Sequence, residues 1–113
     1  MDQDCVTFVT RVSKVHALIQ GKWTLQILCA MRYGPVRLSQ LKRFVPSASK
    51  KALRANLRAL ESTHVVVRLD LSSTVLHVEY NFADGMREAV SSLLDRMADW
   101  SDVLKDEANV RRK

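Results

Sequence analysis

Hydrophobic positions along the 113-residue chain follow helical spacing at both ends and strand-like alternation between them. Residues 4–20 carry a mostly apolar stripe at intervals of three or four, which predicts an amphipathic helix. Residues 22–33 are apolar on nearly every side, so the centre of this second segment should be buried. Gly34 and Pro35 then form a helix stop signal. The stripe of the first helix consists of Cys5, Phe8, Val9, Val12, Val15, His16 and Ile19.

Two further helices are predicted within residues 39–61. Ser39 is positioned to cap a short helix over residues 40–44, and Ser49 is positioned to cap a longer one. The apolar stripe of the longer helix is narrow and consists of Leu53, Leu57 and Leu60. Two helices joined by a turn of about four residues form a helix-turn-helix.

The next segment alternates apolar and polar side chains on both sides of a turn at residues 73–74, which predicts a β-hairpin. In one pairing register of the two strands, the apolar residues of one strand face the apolar residues of the other. This register places Leu69 opposite Val78 on an apolar face and Arg68 opposite Glu79 on a polar face.

The final segment, residues 83–108, has apolar side chains at alternating intervals of four and three, which is a heptad seam. This seam is longer than one small domain needs to cover its own core, so a monomer would leave much of it exposed. We therefore expect a homodimer formed by the first and last helices, residues 4–20 and 83–108. The predicted interface residues are Phe8, Val9, Val12, Ile19, Val90, Leu93, Met97, Trp100 and Leu104.

Charge is unevenly distributed along the chain. The formal net charge is +6, yet residues 21–60 contain nine Lys and Arg and no Asp or Glu. The middle of the chain is therefore suited to a polyanion, and the ends to another role. The longer helix carries only positive charge and small methyl groups on its outward side, where a solvated helix usually carries both signs.

Other classes of protein find little support. Two cysteines in a chain of ordinary hydrophobicity indicate a reducing compartment, and no leader or apolar run near the ~20 residues of a membrane span is present. We expect a cytoplasmic, nucleoid-associated protein without membrane contact. The three histidines have no metal-site spacing, and no phosphate loop, carboxylate pair or nucleophile grouping occurs. We therefore expect no metal, no cofactor and no enzymatic activity.

The order of elements, with a short extended stretch before the helix-turn-helix, is that of a winged helix-turn-helix. We expect a single domain over residues 1–113 that is mainly α with a small β-hairpin wing at residues 65–82, an α+β fold. Over nearly its whole length the chain also resembles the HxlR-type bacterial transcriptional regulators. The matching stretches are "GKWTLQIL" (21–28), "GPVRLSQL" (34–41), "SKKALRANLRALE" (49–61) and "VEY" (78–80). The resemblance implies a homodimeric DNA-binding repressor or activator whose helix after Ser49 enters the major groove.

Both lines of reasoning make double-stranded DNA the expected partner. Alanines on the outward side let the helix backbone approach base edges in a groove about 12 Å wide, while its cations reach bases or phosphates. Two candidates have an alternative to DNA contact. Arg68 could instead pair with Glu79, and Arg37 could instead bridge to the wing. Asn56 projects sideways and is expected to bond a neighbouring element. The DNA-binding candidates are Arg37, Ser39, Ser49, Lys50, Lys51, Arg54, Ala55, Arg58, Arg68, Ser73 and Thr74.

The sequence thus predicts a transcriptional regulator that binds a pseudo-palindromic operator as a homodimer, with no effector identified. The alternative is a winged-helix interaction module that docks a partner protein through the heptad seam. Cys5 is the candidate redox residue, but the N-terminal cysteine of the family stands nearer position 10. We expect no response to oxidants, because no cation lies beside Cys5 in the sequence. Cys29 is expected to be an inert buried thiol.

Overall fold

A computed structural model describes the backbone of residues 2–111 and the side chains of residues 2–106. It contains helices and one two-stranded antiparallel sheet in the predicted order, so the mainly helical winged helix-turn-helix is confirmed. The elements are α1 Gln3–Ile19, α2 Thr24–Ala30, α3 Leu38–Phe44, α4 Lys50–Ser62, β1 Val66–Asp70, β2 Val78–Phe82 and α5 Met86–Arg111.

The hydrophobic core lies between α2, α3, α4 and the inner face of the hairpin. Helix α2 is buried as predicted, although it ends at Ala30 and residues 31–33 form a turn. The narrow stripe of α4 is fully inside. Cys29 is half-buried rather than fully buried, so this prediction was only partly right. The most deeply buried side chains are Ile27, Leu28, Met31, Leu41, Leu53, Leu57, Leu60 and Val66.

Helix α3 begins earlier than predicted, and Ser39 is not its cap. Val36 and Tyr80 exchange both backbone hydrogen bonds, at 2.8 and 2.7 Å, which holds the chain extended up to this point. Arg37 is the N-cap residue, and its N–H donates to the Gln40 side-chain oxygen at 2.7 Å. The helix starts directly after the bridge because that side-chain oxygen satisfies the first free donor.

The hairpin register predicted from the sequence was wrong by one residue. Arg68 lies opposite Tyr80, and Leu69 lies opposite Glu79. Val66 enters the core, so the next apolar side chains of β1 point outward, since a one-residue shift exchanges the two faces of a strand. The outer face of the wing therefore carries the exposed side chains Val67, Leu69 and Leu71.

The two end helices extend from this body. The side-chain carboxylate of Asp2 accepts the Cys5 N–H at 2.8 Å and caps α1, in which no residue is buried. Helix α5 begins at Met86 rather than at residue 83, after Gly85 with its φ of 80°. Within the described part of the chain, no helix is both long and apolar enough to cross a membrane.

The heptad seam of α5 divides into two parts. Its first half contacts the protein's own core through Met86, Val90 and Met97, with Leu94 buried beside them. Its second half is exposed: Trp100 by 68% and Leu104 by 57%. The seam thus serves the monomer's core first, and only its later part is left for a partner.

Candidate nucleic-acid interface

Helix α4 presents a basic outer face because its inner face is fixed by the core. Leu53, Leu57 and Leu60 are at most 1% exposed, and their spacing leaves the opposite side free. The side chains on that free side are all exposed: Lys50, Lys51, Arg54, Ala55, Arg58 and Ala59. Small methyl groups alternate with long cations here, which suits close approach to a polyanion.

The charge of this face is available to a ligand. Among residues 2–106, none of the cations of α4 takes part in an ion pair. A phosphate approaching them therefore displaces water and counterions but no protein carboxylate.

The start of α4 is built as predicted. The Ser49 hydroxyl accepts the Ala52 N–H at 3.0 Å, which makes it the N-cap. Lys50 and Lys51 occupy the first turn, where the helix dipole also favours an anion. The Ser49 hydroxyl is engaged in this cap, so its contribution to a phosphate site is to hold the helix end.

A lysine that the sequence reasoning counted only as charge organises the turn before α4. The Lys42 ammonium donates to the backbone carbonyls of Pro46 at 2.8 Å and Ala48 at 2.6 Å. It lies in the last turn of α3, where a cation commonly satisfies free carbonyls. The carbonyls it binds lie beyond the end of α3, in the turn before α4, so the local sequence gave no signal for this contact.

Two other arginines are held by the protein itself. Arg32 forms an ion pair with Asp95 at 2.6 Å. Arg87 is half-buried and donates to the Met31 and Arg32 carbonyls at 2.5 and 2.9 Å. It also bonds the Asn81 side chain and lies over the Phe82 ring. Both arginines attach α5 to the end of α2.

The wing is tied to the helix-turn-helix by Arg37. Its guanidinium donates to the Leu76 carbonyl at 3.3 Å, which is the bridge considered as an alternative to DNA contact. The predicted Arg68–Glu79 pair is wrong, because Glu79 binds His77 at 2.7 Å and Arg68 is exposed opposite Tyr80.

The tip of the wing has a mixed electrostatic character. Ser73 and Thr74 are exposed, as is Ser39 at the start of α3. Hydrogen bonds from the Ser72 side chain and backbone hold the pKa of the Asp70 carboxyl below its ordinary value. An ionised acid therefore stands near the predicted phosphate donors of the tip, and it opposes close approach of a phosphate there.

Other candidate residues occupy ordinary structural positions. Asn56 is turned from the outer face towards α2, as expected. Trp23 packs against the core, with the Lys22 ammonium 5.2 Å from its ring centre. Cys5 is exposed on α1. Residues 2–106 contain no cluster of three or more His, Cys, Asp or Glu that could hold a metal ion.

A basic helix in the second position of a helix-turn-helix, beside a hairpin wing, is the arrangement of the winged helix-turn-helix fold. The family model for the HxlR-like helix-turn-helix matches residues 18–109, so the chain belongs to this family.

Relatives and solved structures agree with this assignment. The chain is 35% identical over 83 residues to the HTH-type transcriptional regulator YtcD of Bacillus subtilis, covering 74% of this chain and 65% of that one. It is 38% identical over 90 residues to the regulator YdzF of the same organism, covering 74% and 77%. The structure of the redox regulator HypR in its reduced form superposes with a TM-score of 0.77 at 26% identity, covering 85% and 94%. The chain spans just under two thirds of the length of YtcD.

Proposed function

We propose that the protein binds a pseudo-palindromic operator as a homodimer, with the outer face of α4 in the major groove. The observation that carries this proposal is the exposed face of α4, which combines cations without ion pairs and small alanines. Because its proposed partner is DNA, we propose that the protein acts on the nucleoid in the cytoplasm. We further propose that the protein acts by binding and catalyses no reaction.

The exposed apolar side chains of the end helices support the homodimer. On α1, Phe8 is 62% exposed, while Val9 and Val12 are each about half exposed. Together with Trp100 and Leu104 on α5 they form two exposed apolar faces. Two copies would cover these faces and present two α4 helices about 34 Å apart, one turn of DNA.

Selection of bound fragments from a random DNA pool tests the proposal. We expect enrichment of two inverted half-sites with a fixed separation, and affinity that falls steeply with salt because bound phosphates release counterions. A pool without enrichment, or binding that ignores salt, would contradict it. Recovery of salt-insensitive protein partners through Trp100 and Leu104 would instead favour the interaction-module alternative.

We also propose that Cys5 is not an oxidant sensor in this chain, although HypR is a redox regulator. The charged side chains next to Cys5 are the carboxylates of Asp2 and Asp4, and a neighbouring carboxylate disfavours a thiolate. DNA affinity should therefore be equal before and after mild oxidation with diamide, in wild type and in Cys5→Ser. A loss of affinity on oxidation that is absent in Cys5→Ser would overturn this view.

A further inference from the structure

Helix α1 is attached to the rest of the protein only near its C-terminal end, within the described residues. Leu18 and Ile19 pack against the core, whereas the preceding side chains of the helix are exposed. The helix thus projects as an arm, and its direction is determined where it meets the body.

A hydrogen-bonded joint connects the start of α2, a few residues after α1 ends, to the middle of α4. The Asn56 side-chain oxygen accepts the Thr24 hydroxyl at 3.0 Å and the Trp23 N–H at 3.4 Å. Its amide nitrogen donates to the Ala52 carbonyl at 3.2 Å, which fixes the side chain on its own helix. Thr24 is 3% exposed, so its hydroxyl depends on this partner.

Gly21 permits the close approach that the joint requires. A Cβ atom at this position would lie 2.2 Å from the Thr24 hydroxyl oxygen and 2.8 Å from the Asn56 side-chain oxygen. Any larger residue must therefore displace one of the two bonded groups. We call Gly21, Thr24 and Asn56 the α1–α4 joint, because they fix to α4 the stretch of chain into which α1 leads.

Packing does not fix the angle between the two helices beyond the joint. A cleft of about 520 Å³ separates α1 from α4, and its walls include Lys14, Ala17, Ala55, Ala59 and Thr63. The arm has room to swing on this side, so its direction depends on the joint together with the packing of Leu18 and Ile19.

A small rotation at the joint is large enough to matter for DNA. From Gly21 to Phe8 the helix spans 13 residues, or roughly 20 Å. A rotation of about 10° then moves Phe8 by about 3–4 Å relative to α4, close to the rise of roughly 3.4 Å per base pair. Both protomers of a two-fold dimer contribute this displacement.

We propose that Asn56 is a positioning residue which, through the α1–α4 joint, sets the half-site separation that the dimer accepts. This role rests on the proposed function, because it requires dimerisation through α1 and paired half-sites. Asn56 acts on the position of α4 relative to the dimer axis and makes no contact with a base.

Binding to operators of altered spacing tests the proposal in the full chain. The DNA series carries the selected half-sites with the spacer changed by one or two base pairs. We expect wild type to prefer its optimal spacer by about tenfold or more, since simultaneous engagement of two half-sites requires matching geometry. In Asn56→Ala and Gly21→Ala the preference should fall to about twofold, while affinity for a single half-site stays within about twofold of wild type.

Matched variants separate positioning from general stability. Ser62→Ala removes another side-chain hydrogen bond of α4, from the Ser62 hydroxyl to the Ala59 carbonyl at 2.8 Å, and should keep the wild-type spacing preference. Thr24→Ser retains the hydroxyl and should also keep it, whereas Thr24→Val should lose it. Unchanged spacing preference in both Asn56→Ala and Thr24→Val would overturn the proposal, as would an equal loss in Ser62→Ala.

A measurement without DNA distinguishes failure of this inference from failure of the proposed function. Spin labels at Cys5 and at an Arg58→Cys substitution, in a Cys29→Ser background diluted with unlabelled protein, report the distance between α1 and α4 within one chain. We expect a narrow distribution in the parent and a broader or shifted one after Asn56→Ala. An identical distribution would refute the joint itself, whereas a wild type that binds no paired half-sites would refute the proposed function and the spacing role with it.

Discussion

At the level of single residues, the exposed cations of α4 are expected to carry the affinity for DNA. Within residues 2–106, Lys51, Arg54 and Arg58 form no ion pair with a carboxylate, so binding to DNA breaks no such pair. If a cation contacts phosphate, its Ala variant should weaken binding on all sequences and lower the salt slope by roughly one per subunit. If it contacts a base, loss of that contact should cost about 1–3 kcal/mol of binding free energy at one operator position. Fluorescence anisotropy over a salt series measures both quantities.

An exposed arginine outside this surface gives the control. Arg96→Ala on α5 should leave both affinity and salt slope unchanged. Wild-type affinity in all three single variants of α4 would remove this helix from the interface.

The C-terminus of α4 contains a residue in an unfavourable conformation. His64 has a φ of 62°, and the Val65 N–H donates to the Leu60 carbonyl at 3.0 Å, a helix ending that usually has glycine at this position. A left-handed conformation costs a non-glycine residue roughly 1–2 kcal/mol. His64→Gly should therefore raise the free energy of unfolding by about 1 kcal/mol in urea denaturation.

The adjacent residue provides the comparison, because Thr63 has a negative φ of −97° and gains nothing from glycine. Thr63→Gly should lower stability, and a stabilisation equal to that of His64→Gly would show that the conformation of residue 64 is not the cause.

At the level of elements, the two consecutive valines of β1 test the observed register. Val66 is 2% exposed, whereas Val67 is 39% exposed on the outer face. Val66→Ala should lower the free energy of unfolding by about 2 kcal/mol, through lost burial and a residual cavity, and Val67→Ala by less than about half as much. The register inferred from the sequence requires the reverse order, so one pair of urea denaturation curves separates the two.

This pair of residues also illustrates what the sequence could predict. Periodicity was sufficient to predict the order of elements, the apolar stripe of α4 and the Ser49 cap, because each of them depends on the local spacing of residues. It failed at Val65, Val66 and Val67, where three apolar residues in a row do not indicate which one enters the core. That choice depends on the chain's exit from α4 at His64 and on contacts with Tyr80 and Phe82, which are distant in sequence.

Side chains that act across elements were the least predictable part of the site. Lys42, Arg32 and Arg87 all appeared as surface charge, yet each is bound within the protein. Their partners are backbone carbonyls or an acid in another element, and neither carries a signature in the local sequence. The sequence thus overestimated the free positive charge of the surface, whereas the basic face of α4 is exposed as predicted.

At the level of the whole molecule, the exposed apolar faces of α1 and α5 determine the assembly we expect. Trp100 and Leu104 lie beyond the part of α5 that packs against the protein's own core. Isolated protein would leave these large side chains in water together with Phe8, Val9 and Val12, which favours association of two copies. Wild type should therefore sediment as a dimer at micromolar concentration.

Removing the Trp100 and Leu104 side chains should separate the two protomers of the dimer and therefore also their two α4 helices. A Trp100→Ala, Leu104→Ala double variant should sediment as a monomer while keeping wild-type stability, since neither side chain is in the core. Its affinity for the full operator should fall by about a hundredfold or more, because a monomer engages one half-site only, whereas affinity for a single half-site should be unchanged. Tyr33→Ala, which removes an aromatic ring that is 92% exposed in the turn after α2, is the matched control and should alter neither property. A double variant that remains dimeric and binds the full operator normally would exclude this arrangement.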